Sequence, residues 1–415
     1  MPLEEDHIHW FNFPLMESKA NSLDSIHVRK ALRFTNKKTP VIINMLNGNM
    51  RILYKMKHKD VGYLNEVGID IYLYEPLVSY YQGSHNQQNN PQFYYEFLGN
   101  EDPALIRAKE LDSIQEYIKQ NGLTNVTVHT CDYDVEKYYP HYKTMKLITD
   151  DLFIKSQAIV NRPLPPPINK IERKFISLNW RYTTHRHIIA AYLKFTNSVF
   201  LSWKYQCNFE TFSKNVWFDI ESWRKTNMKQ YTKLKIGMLR LDKESPLTLD
   251  TRESPVHINT WDHYNGYPIT NHAPELLTFL NTCTNDIISN VYSKAFVAVV
   301  NESRFAQPTG NYSEKVIQAI LHKLPFIIVA PPYTLKYMRE MGFKTFGEFW
   351  DESYDEITCN STRMIKILEL IDHINSKSIE ELELIKDKMQ HILKYNYTIV
   401  NMFSHNLYTS KLQVK

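Results

Sequence analysis

Residues 296–332 carry the densest set of side chains that could bind an anion. Their sequence, FVAVVNESRFAQPTGNYSEKVIQAILHKLPFIIVAPP, predicts a strand, a polar loop, a helix and a second strand. Asn311, with Glu314 three residues later, resembles a capping pair and puts Lys315 in the first helical turn. The helix dipole disfavours a cation there unless an anion joins it, so free N–H groups and Lys315 together favour a phosphate site.

Two carboxylates in this segment suit hydroxyl groups. Glu302 follows the first predicted strand and Glu314 lies at the start of the helix, and both could accept hydrogen bonds from ribose or sugar hydroxyls. An ordinary capped helix with solvated charges is the simpler interpretation of an isolated N-x-x-E-K pattern. The combination of strand, loop and helix favours a binding site.

A second polar cluster follows the apolar run FISL at 175–178. Asn179, Arg181, His185 and Arg186 lie just after this run and at the start of the next predicted helix. Arg181 is the natural second phosphate clamp, because arginine offers a planar, bidentate set of donors. Arg186 could instead be a surface residue, and His185 a capping or packing histidine.

The segment around Lys315 resembles the donor-binding region of GT-B glycosyltransferases of the fucosyltransferase-like kind. That family has a strand ending in an E-N-S-like tripeptide, followed by Y-x-T-E-K, an apolar helix and another strand. This chain has N-E-S at 301–303 and Y-S-E-K at 312–315, so glutamate and asparagine are exchanged and serine replaces threonine. The resemblance implies that Lys315 contacts a donor diphosphate, Glu314 the ribose, and Tyr312 the donor.

Two longer segments are similar to glycosyltransferases of bacteriophages and large DNA viruses. Residues 174–193 resemble the N-x-R-x-x-x-H-R opening of their donor domain, and residues 294–357 resemble the donor loop with its continuation. The resemblance implies donor contacts for Asn179, Arg181 and Arg186. It bears on the enzyme class more than on the acceptor.

Sugar transfer also needs a base that deprotonates the acceptor hydroxyl, and an inverting GT-B enzyme would take it from the N-terminal domain. Glu75 directly follows the predicted strand IDIYLY, and Asp132 follows VTVHT, so both are candidates, with Glu17 a weaker third. Each acid, taken singly, is more often a solvated or capping group. The sequence does not choose among them.

Asp132 and Asp134 also form a D-x-D motif after a strand, which is where GT-A enzymes bind a metal ion. The lysine-based phosphate site already supplies the positive charge, so we expect no metal. We also expect no cofactor, because a UDP- or GDP-sugar donor would be a substrate. No C-x-x-C motif or Cys/His cluster in the sequence suggests zinc.

The segment at 223–243 is strongly basic, with Trp223 and Tyr231 among its cations. The residues predicted to bind nucleic acid are Arg224, Lys225, Lys229, Lys233 and Lys235. Lysine and aromatic side chains together suit a phosphate backbone with unstacked bases. A solvated helix face is the commoner alternative.

The elements that must position these residues alternate between strand and helix. Apolar runs that predict buried parallel strands lie at 41–46, 69–74, 126–130, 175–178, 295–300 and 326–330. Helical patterns lie at 104–121, 184–195, 313–323, 334–341 and 361–395. This alternation predicts an α/β fold with doubly wound sheets. Glycine is scarce, 11 of 415 residues, and its spacing excludes G-x-G-x-x-G fingerprints and P-loops.

Residues 161–169, NRPLPPPIN, divide the chain. Four prolines in nine residues are too stiff and too poor in N–H donors for an element interior, so they indicate an interdomain linker. We expect an acceptor-side domain at 1–160, a nucleotide-sugar domain at 170–390 and a helical tail at 391–415. The resemblance implies a GT-B arrangement, with two doubly wound Rossmann-like domains facing a cleft.

Composition and charge limit the classes of protein to which the chain can belong. The chain is 43% hydrophobic and 23% charged, which is globular composition, and its net charge of +4 permits an anionic partner. The N-terminus lacks a signal-peptide pattern, and no apolar run reaches roughly 18 residues. These features predict a cytoplasmic protein, in whatever cell makes it, with no membrane partner.

Together the residues and the resemblance predict a glycosyltransferase, inverting and hexosyl- or pentosyl-transferring, with a nucleotide-diphosphate sugar as donor. The basic segment and the phage-like resemblance favour DNA as acceptor partner, at 5-hydroxymethylcytosine in phage DNA, in a glucosyl- or arabinosyltransferase-type reaction. Two alternatives stay open: a fucosyltransferase-like enzyme of viral or surface glycan synthesis, and a non-catalytic module that binds nucleic acid through 223–243.

Overall fold

The structure is a computed structural model. It describes residues 41–44, 61–73, 103–130, 132–149, 170–179, 184–201, 209, 220–243, 292–302, 304–306, 310 and 312–412. These residues belong to two compact units, the first including the described part of 41–149 and the second that of 170–405. The predicted linker at 161–169 lies outside the described residues, so the domain limits stay predictions.

The first unit has a four-stranded parallel sheet in the order β1-β2-β3-β4. Its strands are β1 (Val41–Asn44), β2 (Ile69–Leu73), β3 (Val126–Thr130) and β4 (Lys146–Thr149). Its helices are α1 (Val61–Val67), α2 (Pro103–Asn121) and α3 (Val135–Tyr138). Leu111, Ile114 and Ile118 of α2 recur at helical spacing and are buried in one core with Val126 and Val128 of β3.

The second unit has a parallel sheet in the order β6-β5-β7-β8. Its strands are β5 (Arg173–Leu178), β6 (Ser198–Leu201), β7 (Ala295–Asn301) and β8 (Phe326–Val329). Phe175 of β5 pairs with Ser198 on one side and with Val297 on the other. Every residue of β7 and β8 is buried, as expected for parallel strands covered on both faces.

Helices and one short turn complete the described part of the second unit, which includes the last helix as far as residue 405. They are α4 (Thr184–Leu193), α5 (Ile220–Thr226), α6 (Met228–Lys243), α7 (Glu314–Leu321), α8 (Thr334–Glu340), the 3₁₀ turn Ser353–Glu356, α9 (Asn360–Asn375), α10 (Ile379–Lys388) and α11 (Gln390–Leu412). The single helical pattern predicted at 361–395 is therefore three helices. Ser378 and Glu381 form a capping box that starts α10, and this stops the continuous helix.

The order of the second sheet creates a switch point between β5 and β7. The chain passes from β5 to β6 on one side and returns to β7 on the other side of β5. Ligands of such sheets bind outside the carboxyl ends of the strands where this reversal occurs. The four described strands of the first sheet follow one another in sequence and show no reversal.

The α/β class and its parallel sheets are confirmed. The sequence does not predict β4 or β6, each only four residues long. In the part of the chain that the structure describes, no helix combines the length and apolar character needed to cross a bilayer.

Candidate functional site

Buried polar side chains meet at the carboxyl ends of β5 and β7. Asn179 directly follows β5, Asn301 ends β7 and Glu302 comes next, and all three are at most 1% exposed. Asn301 Nδ2 donates to Ser177 Oγ at 2.9 Å, and Asn179 Nδ2 donates to the same oxygen at 3.4 Å. Ser177, which is not among the predicted residues, thus ties the two strand ends together.

Asn301 presents an open acceptor in this cluster. Its side-chain Oδ1 has no hydrogen-bond partner among the described residues, although the residue is 1% exposed. Buried polar groups in native proteins are nearly always paired with protein, water or ligand. Asn301 Oδ1 is therefore placed to accept a hydrogen bond from a bound molecule or an ordered water.

The start of α4 carries two side chains onto β7. Arg186 donates from its terminal nitrogen to the Asn301 carbonyl at 3.2 Å, and His185 Nε2 lies 2.9 Å from the Glu302 carbonyl. A carbonyl only accepts, so Nε2 carries the hydrogen. Burial lowers the pKa of His185 to about 3, and the charge of Arg186 contributes, so the imidazole is neutral at physiological pH. Both side chains are buried, which excludes the surface alternative for Arg186.

The carboxylate of Glu302 occupies part of the helix N-terminus that the sequence assigns to a ligand. Glu302 Oε1 accepts a hydrogen bond from the Ser313 N–H at 3.1 Å. This contact places a negative charge at the positive end of α7. The role predicted for Glu302, binding sugar hydroxyls, stays a prediction, and its described contact links the end of β7 to the start of α7.

The cap of α7 is Ser313, so the predicted capping pair of Asn311 and Glu314 is wrong. Ser313 has an extended backbone and its Oγ accepts from the Lys315 N–H at 3.3 Å, while Glu314 is the first helical residue. Asn311 lies outside the described residues. The hydroxyl is one peptide from the helix and reaches the N–H directly, which is the geometry of a serine cap.

Lys315 is half-buried at the start of α7, with Nζ 3.4 Å from Ser313 Oγ. Because Glu302 and Ser313 use two of the N–H groups near this helix end, a phosphate would be recognised chiefly by the ammonium group. Tyr312 is buried and donates from its hydroxyl to the Thr334 carbonyl at 2.6 Å. Its described contact is thus with backbone and supports the loop.

The remaining predicted donor residues and one candidate base are not fully described. Arg181 and Glu75 lie outside the described residues, as does Glu17. Glu314 is described only as the residue that begins α7. Their predicted roles stay predictions.

Asp132 lies at the corresponding edge of the first sheet. It follows β3, is fully buried, and its carbonyl accepts from Thr149 Oγ1 at 2.9 Å. Asp134 starts α3 with a left-handed backbone and lies 3.9 Å from the Lys137 ammonium. Within the described ranges, no three His, Cys, Asp or Glu side chains come together as a metal site would require. The two carboxylates of the D-x-D motif therefore have different surroundings, one buried and one beside a lysine.

The basic segment forms α5 and α6. Four of its predicted cations are exposed: Arg224, Lys225, Lys229 and Lys235. Lys233 differs, because it is paired with Asp372 of α9 and lies over the Tyr192 ring at 4.9 Å. Trp223 and Tyr231 are buried, so these aromatic rings pack in the protein and do not offer a surface for base stacking.

Arg363 and Phe305 complete the surroundings of the site. Arg363 is buried and donates to the Phe305 carbonyl at 2.5 Å, and the Phe305 ring stacks on His185 with centroids 5.5 Å apart. The sequence does not predict either residue, because an arginine in a polar helical turn gives no sign of burial. The whole arrangement can bind an anion that also offers hydrogen-bond donors.

No family model, curated protein or solved structure matches the chain.

Proposed function

We propose that this protein is a glycosyltransferase that uses a UDP- or GDP-sugar as donor. The observation that carries the proposal is the buried polar cluster at the switch point of the second sheet, with Lys315 at the start of the next helix. Nucleotides bind at such points in doubly wound sheets. The cluster combines a cation for phosphate with acceptors for hydroxyl or amide hydrogens.

The diphosphate and the ribose of the donor then have partners in the second unit. Lys315, together with Arg181, binds the diphosphate and stabilises the charge that develops on it as the glycosidic bond breaks. Glu314 binds the ribose. Asn179 and Arg186 hold the strand ends in place, and Arg186 does so through the Asn301 carbonyl.

Transfer proceeds as a direct displacement, with an acid of the first unit as base. The acceptor hydroxyl oxygen forms the new bond to the anomeric carbon, its proton goes to the base, and the nucleotide diphosphate leaves. Asp132 is the candidate that the structure describes, buried two residues after the end of β3. Glu75 is the other candidate. The proposal includes a GT-B arrangement, in which two Rossmann-like domains face a cleft.

For the acceptor we propose 5-hydroxymethylcytosine in phage DNA. The supporting observation is the exposed cations of α5 and α6, which suit a phosphodiester backbone. A base in a duplex would have to be flipped out to react. A viral or surface glycan is the alternative acceptor for the same donor site, and a module that only binds nucleic acid is the alternative without catalysis.

The test begins with the melting temperature of the full chain in the presence of UDP-sugars and GDP-sugars. A true donor stabilises the folded protein by mass action, so one nucleotide series should raise the melting temperature. The best donor is then incubated with hydroxymethylated DNA, plain DNA or a glycan acceptor, and released nucleotide diphosphate is measured. Release with hydroxymethylated DNA alone supports the proposed acceptor. Release with a glycan alone keeps the enzyme class and replaces the acceptor.

A further inference from the structure

Arg363 is a buried cation that the proposed chemistry does not use. It lies in the first turn of α9 and is 1% exposed. Its guanidinium donates to the carbonyls of Phe305, Ala330 and Ile357, at 2.5, 3.1 and 2.7 Å. It also donates to Asn360 Oδ1 at 2.7 Å and stacks on the Phe305 ring at 4.3 Å. One side chain therefore joins three loops.

These contacts place Arg363 behind the donor site. Phe305 follows β7 by four residues, and Ala330 directly follows β8. The Phe305 ring also stacks on His185, whose Nε2 donates to the Glu302 carbonyl. Arg363 thus fixes the loops at the carboxyl ends of β7 and β8, where the nucleotide sugar is proposed to bind.

Folding stability does not by itself explain why a charged side chain occupies position 363. A cation in the first turn of a helix opposes the helix dipole, and a buried charge is often replaceable by an apolar side chain of similar volume without loss of stability. Every hydrogen bond described for its guanidinium ends on an uncharged oxygen. Burial lowers the pKa of Arg363 to about 10, so the group stays charged at neutral pH. The buried carboxylate of Asp355 acts on Arg363 electrostatically and raises its pKa, without a described hydrogen bond to the guanidinium. The site therefore contains a positive charge whose carboxylate partner among the described residues is electrostatic and not hydrogen-bonded.

We propose that Arg363 is a positioning residue of the donor site, which holds the two loops and adds positive potential that favours a diphosphate. This inference rests on the proposed function. In a partly desolvated site, a fixed charge acts on an anion several ångströms away. The effect of this charge on affinity grows with the charge of the ligand. A loss of loop structure instead weakens the binding of charged and uncharged ligands alike.

The experiment compares Arg363→Gln with wild type and with Lys386→Met. Lys386 is a partly buried cation that donates to the Ala295 carbonyl at 3.1 Å, at the amino end of β7. Dissociation constants are measured for UDP, UMP and uridine, and for GDP, GMP and guanosine, alongside urea unfolding. We expect Arg363→Gln to lose about tenfold in diphosphate affinity, with a smaller loss for the monophosphate and least for the nucleoside. Lys386→Met should keep all affinities, because its hydrogen bond lies at the amino end of β7, and its urea unfolding shows what loss of a partly buried cation alone does to stability.

Arg363→Lys separates position from charge, and serves as the folded variant if Arg363→Gln does not fold. It keeps the charge but not the planar fork that reaches three loops. We expect weaker binding of all ligands with an unchanged preference for the diphosphate. Equal affinities in wild type and the Arg363 variants would overturn this inference alone. Failure of wild type to bind any of these nucleotides would overturn the proposed function as well.

Discussion

The two ends of the second sheet use polar side chains in different ways. At the amino end, Lys174 Nζ donates to the carbonyls of Asn375 and Lys377, each at 2.6 Å, where α9 ends. This cation satisfies carbonyls that a helix end leaves without partners, which is a structural task. At the carboxyl end, polar side chains bond one another and leave Asn301 Oδ1 open. This contrast is our reason for proposing the carboxyl end as the ligand-binding end.

Substitution of two buried histidines is expected to give the largest effects. Burial lowers the pKa of His185 to about 3 and that of His322, which follows α7, to about 4. Since an ordinary histidine has a pKa of about 6.5, the unfolded chain takes up protons first as pH falls. The contribution of these histidines to the free energy of unfolding is complete above pH 6.5. It decreases toward pH 4, by roughly 1 kcal/mol per pH unit for each histidine.

The measurement is urea unfolding between pH 7 and 4.5 for His185→Gln and His322→Gln. Each variant should show a shallower decrease than wild type, by about one proton. Only His185→Gln should also weaken binding of the nucleotide donor, because His322 bonds the Gln318 carbonyl at the opposite end of α7. Equal donor binding in both variants would remove His185 from the site.

Glu302→Ala should have the next largest effect. The change leaves the Ser313 N–H without its carboxylate acceptor and loosens the donor loop. We expect a loss of about 2 kcal/mol in the free energy of unfolding, because hydrogen bonds to charged groups are among the stronger ones. Donor affinity should fall as well. Glu348→Ala, at an exposed position, is the control and should change neither quantity.

Lys174→Met tests the amino end. It removes the donor to two carbonyls at the end of α9 and should reduce the free energy of unfolding by about 1 kcal/mol. Thermal shifts with the nucleotide donor should equal those of wild type once the lower starting temperature is subtracted. A selective loss of donor binding would mean that both ends of the sheet influence the ligand.

The smallest effects are expected on α6. Lys229→Ala and Lys235→Ala should each reduce the salt dependence of DNA binding, because each exposed cation neutralises about one phosphate. The slope of the logarithm of the binding constant against the logarithm of the salt concentration should fall by about one for each variant. Lys233→Ala should lower stability instead, since Lys233 is paired with Asp372. A DNA affinity that does not vary with salt would exclude a phosphodiester partner for this helix.

The fold could be predicted where the chain repeats one local pattern. Apolar runs such as FIIV and AFVAVV are buried strands, and the helix at 104–121 is α2. The strand order could not be predicted, because the side of β5 on which β6 pairs depends on long-range packing. The limits of short elements also failed, as with β6, where four residues give too little pattern to recognise.

The site was predictable in its chain positions but not in its contacts. Glu302 and Asn179 directly follow strands that the sequence predicts, Arg186 lies in the helix that follows the second of these strands, and all three are buried. The contact between Glu302 and Ser313 joins residues eleven positions apart in the loop between β7 and α7, and no local spacing determines how that loop closes. The contacts of Arg363 could not be predicted from local sequence either, because two of its carbonyl partners lie 58 and 33 residues away.

The most direct test is calorimetric titration of wild type, Lys315→Ala and Lys394→Ala with the best UDP- or GDP-sugar. Lys315 lies in the first turn of α7, with Nζ 3.4 Å from Ser313 Oγ, whereas Lys394 is an exposed lysine of α11 and serves as a charge-matched control. We predict that wild type and Lys394→Ala bind equally and that Lys315→Ala loses at least about tenfold in affinity. Binding by Lys315→Ala with wild-type affinity would contradict a donor site at the carboxyl end of the second sheet.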